Sequence, residues 1–378
     1  TAQGTALIAG CTKPATQETG RAAQEIGRAV DSVTSSGQPS MKALIVAPSW
    51  IGDTVLAQAL FVRLHERTPG LRLDALAPGW VAPVLERMPE IAEVIESPFA
   101  HGELSLKARH RIARRLAEGG YQRAYILPNS IKSALIPFFA DIPERIGFIG
   151  ETRYGLINRR HTLNKAQLPQ MAERFAQLAE EPGAPLPRPL PLPRLSSSSA
   201  QRAAAVAALG VELPEKLAVF CPGAEYGPAK RWPSRHFAAL AHSLARLGYT
   251  VWLLGSAKDR AIGEQIVAQA DPVSPPRNLC GSTSLTQAID LLAAATLVVC
   301  NDSGLMHVAA ALARPLIAVY GSSSPDFTPP LSPQATIVSL ALECSPCFQR
   351  ECPLGHLDCL HKLEPQRVLD ACLAKAPA

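Results

Sequence analysis

The sequence predicts an α/β protein of two tandem Rossmann-like domains, each a doubly wound parallel sheet, facing one another across an interdomain cleft. Three observations carry this. From Met41 onward short apolar runs alternate with helical periodicity in the order strand, turn, helix, strand. Six prolines between positions 182 and 193, followed by Ser196-Ser197-Ser198-Ser199, interrupt that alternation with a stretch that is first stiff and then flexible. Beyond it the alternation restarts.

Residues 1–40 differ from the rest. The run 5–11 ends in Leu-Ile-Ala-Gly-Cys, which resembles a lipobox at Cys11, but no basic region and only a stub of apolar sequence precede it. The stretch from Thr12 to Ser40 is small and polar, with a short helix at 19–33, and the whole segment is expected to be disordered or foreign to the folded body. In the first domain, 41–181, strands are expected at 42–47, 71–76, 92–95 and 123–127, and helices near 53–67, 80–88 and 107–118. The Pro/Ser-rich segment 182–199 is expected to be the linker. In the second domain, 200–343, strands fall at 217–221, 250–254, 277–280, 297–300 and 316–320, and helices at 234–247, 258–269, 285–294 and 304–313. A Cys-rich loop and a C-terminal helix occupy 344–378.

Composition narrows the function. A chain of 378 residues accommodates two domains, and 47% hydrophobic with 18% charged residues is globular composition. No run approaches the roughly 18 apolar residues of a membrane span. A net charge of +5 with few aromatics argues against single-stranded nucleic acid and suits anionic substrates or an anionic membrane surface. Residues 1–40 carry three acidic and three basic residues, so the excess charge belongs to the body, where it gathers in the first half. Cys221, Cys280 and Cys300 lie in or beside apolar strand runs, as reduced buried thiols do. With no secretory signal before the body, a reducing cytoplasm is expected. The C-terminal cysteines run Cys344-x2-Cys347-x4-Cys352-x6-Cys359, with His356 and His361 among them. The first pair has metal-ligand spacing and the second does not repeat it. A free or redox-variable thiol cluster is therefore expected rather than a structural zinc.

Residues 297–321 are the most informative stretch: a buried strand, the polar turn Asn301-Asp302-Ser303-Gly304, an alanine-rich helix and a second buried strand. The turn supplies N-cap side chains, and the helix N–H groups then point out beyond the carboxyl end of a strand. That is where ligands bind in open parallel sheets, and an anion suits a helix N-terminus. Ser303, Gly304 and His307 are thus candidates for holding a phosphate; an ordinary capped crossover is the plainer reading. In the first domain, Pro48-Ser49-Trp50-Ile51-Gly52-Asp53-Thr54 follows strand 42–47 but is no dinucleotide fingerprint, since Gly-x-Gly-x-x-Gly is missing. Gly52 suits close backbone approach and Asp53 a carboxylate at a reacting centre, unless Asp53 only caps the helix. The turn 222–233 pairs Gly223 with Lys230-Arg231, a diphosphate clamp of a point charge and a bidentate fork, beside a Trp232 wall. Ser256 or Asp259, after strand 250–254, would approach a nucleoside or serve structure alone. The turn 281–285 reads as a helix cap. Lys107, Arg109, Arg111, Arg114 and Arg115 crowd one helix and read as a solvated face, whereas Lys132, just past strand 123–127, is better placed to touch an acidic acceptor.

Taken in order, these motifs resemble the ADP-heptose:lipopolysaccharide heptosyltransferases, bacterial glycosyltransferases with the GT-B fold. The matching stretches are Trp50-Ile51-Gly52-Asp53, Leu127-Pro128-Asn129-Ser130-Ile131-Lys132-Ser133, Arg145-Ile146-Gly147-Phe148, Pro222-Gly223-Ala224 with Lys230-Arg231-Trp232-Pro233, and Asn301-Asp302-Ser303-Gly304-Leu305-Met306-His307. Coverage is essentially 41–375. The tail from Cys344 to Pro353 resembles heptosyltransferase II more than the first enzyme of inner-core assembly. The resemblance implies inverting transfer of L-glycero-D-manno-heptose from ADP-heptose to a heptose already on the Kdo-lipid A core. It implies Asp53 as general base, with Gly52 and Lys132 on the acceptor side. Gly223, Lys230, Arg231, Ser256, Asp259, Asp302, Ser303, Gly304 and His307 would face the donor. It also implies no cofactor, no metal and no nucleic acid, and an enzyme in the cytoplasm, peripheral to the inner membrane. Two other readings stand beside it: another nucleotide-sugar glycosyltransferase, such as one adding the first heptose, and a non-catalytic nucleotide-sugar-binding module.

Overall fold

The computed structural model describes residues 41–99 and 103–375, and the expectations for 1–40 lie outside them. Met41–Ala378 forms one compact unit. It is built on two six-stranded sheets, parallel throughout. The first contains β1 (Lys42–Val46), β2 (Arg72–Pro78), β3 (Glu93–Ser97), β4 (Arg123–Ile126), β5 (Glu144–Phe148) and β6 (Arg159–His161), in the order β3-β2-β1-β4-β5-β6. The second contains β7 (Leu217–Cys221), β8 (Thr250–Leu253), β9 (Arg277–Asn278), β10 (Leu297–Asn301), β11 (Leu316–Val319) and β12 (Ala335–Val338), in the order β12-β11-β10-β7-β8-β9. The two orders are the same pattern, and each reverses direction once, between β1 and β4 and between β7 and β10. Central strands are buried along their length, as parallel strands covered by helices on both faces must be: β7 reads Leu-Ala-Val-Phe-Cys and β10 Leu-Val-Val-Cys-Asn.

The expected α/β architecture is present, with corrections. Three strands escaped the sequence reading. β6, Arg-Arg-His, and β12, Ala-Thr-Ile-Val, lie at sheet edges, and β5 begins with Glu-Arg; none offers a continuous apolar run. The expected helix 53–67 is two helices, Ile51–Leu56 and Gln58–Arg67, joined at Ala57. Because the chain turns helical at Ile51 with Trp50 as N-cap, Asp53 sits inside the first turn and does not cap it.

The segment 182–198 is held by hydrogen bonds rather than left loose. Arg63 donates to the Pro187 and Pro189 carbonyls at 2.6 and 3.2 Å. Gln58 exchanges hydrogen bonds with the Arg194 backbone at 2.7 and 2.8 Å. The serines expected to be flexible are engaged. Ser198 caps helix Ser199–Ala208 in a reciprocal capping box with Gln201, and the Ser197 hydroxyl donates to Asp290 at 2.8 Å. Asp290, in helix Leu285–Ala294 of the second half, also accepts from Arg87 of the first at 2.9 Å, with both side chains buried. This ion pair crosses between the two sheets' helical layers.

Removing one member of a buried pair strands the other charge, which typically costs about 3–5 kcal/mol, whereas replacing both by apolar residues is close to neutral. Arg87→Met is therefore expected to lower the urea midpoint strongly, and Arg87→Met with Asp290→Leu to recover most of the loss. An unchanged midpoint for Arg87→Met would remove this pair from the account.

Candidate active site

In open parallel sheets ligands bind beyond the carboxyl ends of the strands where the order reverses. Here that places the loops after β1 and β4 opposite those after β7 and β10. Helix Ile51–Leu56 starts straight after the β1 loop and helix Gly304–Ala311 straight after β10. Neither N-cap residue, Trp50 or Ser303, makes a side-chain cap hydrogen bond, so the first-turn N–H groups are not consumed by a cap. The two helices abut. A Cβ on Gly304 would lie 2.9 Å from the Ile51 Cβ, and one on Gly52 would lie 2.7 Å from His307 Cδ2. Glycine is required at both positions for this approach.

The polar turn after β10 divides its work. Asn301, fully buried, accepts from the Trp232 N–H at 3.1 Å and donates to the Pro222 carbonyl at 2.7 Å, which ties the β7 loop to β10. That tie brings Lys230 onto Asp302, with Nζ to Oδ2 at 2.5 Å. Asp53 faces the pair across the crevice. Burial pushes its carboxyl up to about 6; Lys230 pulls the other way and Asp302 adds to the rise. His307 is buried against Gly52, and burial drives its imidazole down to about 4, with Asp302 opposing and Lys230 reinforcing. His307 is thus neutral at pH 7, and its Nδ1 has no hydrogen-bond partner among the described residues.

Gly52, Asp53, Lys230, Asp302, Gly304 and His307 are therefore brought together, with Ser303 at the helix start. Other expected residues have structural partners. Ser256 and Asp259 bond to each other, the Ser256 N–H and hydroxyl donating to Asp259 at 2.9 and 2.8 Å in a capping box. Gly223 packs on that carboxylate, since a Cβ there would lie 2.4 Å from it. Arg231 reaches the Ala224 carbonyl at 3.3 Å. Trp232 is no wall of the cleft: it is buried in the core, its indole N–H donating to the Leu363 carbonyl at 2.8 Å. Ser284 caps helix Leu285–Ala294 with Gln287, as the turn 281–285 predicted.

On the first-half side a cavity of about 850 Å³ opens beside Asp53 and is lined by Lys132, Ser130, Trp80, Arg109 and Arg174 among others. Arg109 was missed as a site residue, because a charge-dense helix reads as solvated. It is buried, stacks over Phe99 at 4.0 Å, and donates to the carbonyls of Lys132 at 3.0 Å and Glu103 at 2.8 Å. A signal existed: Arg109, Ala113 and Leu116 are spaced four and three residues apart and form the buried stripe of helix Leu106–Ala117. Arg153 holds the loop carrying Lys132 from below, through the Pro128 carbonyl at 2.8 Å and Asn129 Oδ1 at 3.1 Å. Cys221, Cys280 and Cys300 are buried free thiols, as expected, and Cys344, Cys347, Cys352 and Cys359 are free thiols around one small cavity. Among the described residues no group of three or more His, Cys, Asp or Glu side chains is arranged to hold a metal ion. No helix of the described residues is long and apolar enough to cross a membrane.

Comparison with known proteins gives one consistent result. The family model for glycosyltransferase family 9 (heptosyltransferase) matches residues 109–358. The chain is 46% identical to lipopolysaccharide heptosyltransferase 2 of Salmonella typhimurium, covering 87% of this chain and 97% of that one. It is 47% identical to lipooligosaccharide heptosyltransferase 2 of Haemophilus influenzae, covering 79% and 89%. In structure it is similar to E. coli ADP-heptose lps heptosyltransferase II, with a TM-score of 0.81, 44% identity, and coverage of 89% of this chain and 98% of that one.

A carboxyl at about 6 that must be ionised to accept a proton gives activity that rises with pH through that value and levels off above it. Since Asp302 raises the Asp53 value and Lys230 lowers it, Asp302→Asn is expected to move the acid limb of kcat/KM to lower pH and Lys230→Ala to higher pH. A limb that moves in neither variant would detach it from Asp53.

Proposed function

The chain belongs to glycosyltransferase family 9, the heptosyltransferases, and from that premise we propose how its crevice moves a heptosyl group. The reaction is transfer of heptose in lipopolysaccharide core biosynthesis: L-glycero-D-manno-heptose passes from ADP-heptose to the first heptose of the Kdo-lipid A inner core. Identity of 44–47% to proteins named heptosyltransferase 2 or II supports this acceptor.

The observation that carries the residue roles is the distribution of partners among three carboxylates at the crevice. Asp302 is paired with Lys230, and Glu151 accepts from the Ile131 N–H at 2.8 Å. Asp53 has no hydrogen bond or ion pair on its carboxylate among the described residues, and its elevated value suits a base working near neutral pH. Asp53 takes the proton of the acceptor hydroxyl as that oxygen attacks the anomeric carbon from the first-half side. The bond to the diphosphate breaks on the opposite face, and ADP leaves toward the second half. Lys230 and the N-terminus of helix Gly304–Ala311, with Ser303, meet the charge that develops on the leaving diphosphate. Neutral His307 offers a hydrogen bond, not a charge. Lys132 and Gly52 lie on the acceptor side. Gly223, Arg231, Ser256 and Asp259 belong to the donor-side framework, the last two by fixing the loop after β8. Residues 41–181 would carry the acceptor and 200–343 the donor, with 182–199 joining them. A lipid-borne acceptor places the enzyme at the cytoplasmic face of the inner membrane.

Incubation with ADP-heptose and a heptosyl-Kdo-lipid A acceptor is expected to give a product heavier by one heptose and stoichiometric ADP. Removal of a positioned base typically costs about 10²–10⁴ in rate, so Asp53→Asn should lose that much kcat while ADP affinity holds. Near-normal turnover would take Asp53 out of the mechanism. Since protein charge serves the leaving group, turnover should persist in EDTA, and Lys230→Ala should depress kcat and raise the donor KM. Loss in EDTA restored by Mg²⁺ would contradict the leaving-group assignment.

A further inference from the structure

The geometry points to one face of the first half, formed by helices Leu106–Ala117 and Ile131–Phe139, as the surface that seats the enzyme on an anionic lipid bilayer. This rests on the reading that the acceptor is lipid-borne. Helix Leu106–Ala117, Leu-Lys-Ala-Arg-His-Arg-Ile-Ala-Arg-Arg-Leu-Ala, contains no acidic residue. Its inner stripe of Arg109, Ala113 and Leu116 is buried, and Lys107, Arg111, Arg114 and Arg115 are exposed. None of these four has an ion-pair partner among the described residues. Beside it, helix Ile131–Phe139 presents Ile131 and Phe138, each 39% exposed, and Leu104 and Leu106 are 51% exposed at the entry to the basic helix. His110 and Phe139 join the two helices edge to face, with ring centres 5.7 Å apart.

Exposed cations flanking exposed Leu, Ile and Phe make the composition of an interfacial surface, in which apolar side chains enter the headgroup boundary and cations meet anionic lipid. Two further facts select this face. Leu104 and Ile131 also line the cavity beside Asp53, so the apolar patch is continuous with the acceptor's entrance. The net charge is equally one-sided: residues 41–199 hold 20 Lys and Arg against 15 Asp and Glu, and residues 200–378 hold 14 of each. A bilayer on this face meets the charged half, and a headgroup-borne acceptor enters the cavity without leaving its membrane.

The test is co-sedimentation of the full chain with vesicles containing phosphatidylglycerol, and with vesicles of neutral phosphatidylcholine alone. A cation near an anionic leaflet contributes a factor of about five in partitioning, so the combined Lys107→Ala, Arg111→Ala, Arg114→Ala and Arg115→Ala variant should lose on the order of 100-fold or more. Its turnover of a water-soluble, deacylated acceptor should be unchanged. Arg111→Lys with Arg114→Lys and Arg115→Lys, which keeps the charge, should bind as wild type does. Arg235→Ala with Arg246→Ala and Arg277→Ala, which removes exposed cations of the second half, should also leave binding intact. Wild-type partitioning by the quadruple variant would overturn the proposal, as would equal losses in the lysine or second-half variants. Failure of the heptosyltransfer reading is read separately, as no turnover of the soluble acceptor by wild type.

Discussion

Everything at the crevice depends on two helix N-termini meeting with almost nothing between them. Helices Ile51–Leu56 and Gly304–Ala311 start at the order reversals of the two sheets and touch through Gly52 and Gly304, where a single added methyl would collide with His307 or Ile51. This closeness sets the chemistry as well as the shape. It dries the space around Asp53 and His307, and drying works in opposite directions on an acid and a base. The carboxyl rises toward neutrality, where it can take a proton. The imidazole falls out of its charged range. In the proposed mechanism the positive charge offered to a departing diphosphate therefore comes from Lys230 and from the N-terminus of helix Gly304–Ala311. In the structure Asp302 occupies Lys230, so the lysine is held at its station by a carboxylate from a neighbouring loop of its own sheet.

A crevice this tight needs a frame that does not yield, and the chain builds it from buried polar groups rather than from apolar packing alone. Asn301 links the loop after β7 to β10 with two hydrogen bonds, one accepted and one donated. Arg109 and Arg153 sit beneath the loop carrying Lys132 and donate largely to backbone carbonyls, which satisfies a guanidinium without adding a further carboxylate beside Asp53 and Asp302. Arg87, Ser197 and Asp290 fasten the two halves to the strap that joins them. These groups fix where the reacting side chains stand, while the reacting side chains themselves are few.

Much of this was legible in the sequence, for a physical reason. Strand 217–221 and helix 285–294 were readable to the residue, because a parallel strand covered on both faces leaves an uninterrupted apolar run and a Ser-x-x-Gln box marks a helix start. Gly52, Asp53, Lys230, Asp302, Gly304 and His307 came together where the alternation placed them, beyond strand carboxyl ends. What failed to show had its cause in tertiary structure. β6 is Arg-Arg-His, and its strand state comes from pairing with β5. Trp232 lies in a charged, proline-rich loop, yet the Asn301 tie pulls its backbone inward and buries the indole. Arg109 hides in a row of similar charges, and only helical spacing separates it from its solvated neighbours. The Pro/Ser-rich strap has a linker's composition, but Gln58, Arg63 and Arg87 supply the partners that immobilise it.

The central claim is that one carboxylate, Asp53, drives a single displacement at the anomeric carbon while Asp302 stays committed to Lys230. The most direct measurement is the anomeric configuration of the transferred heptose, read by NMR on the product and compared with that of the donor. A single displacement gives inversion. Retention would require a nucleophile to form and release a heptosyl-enzyme, and would contradict the account.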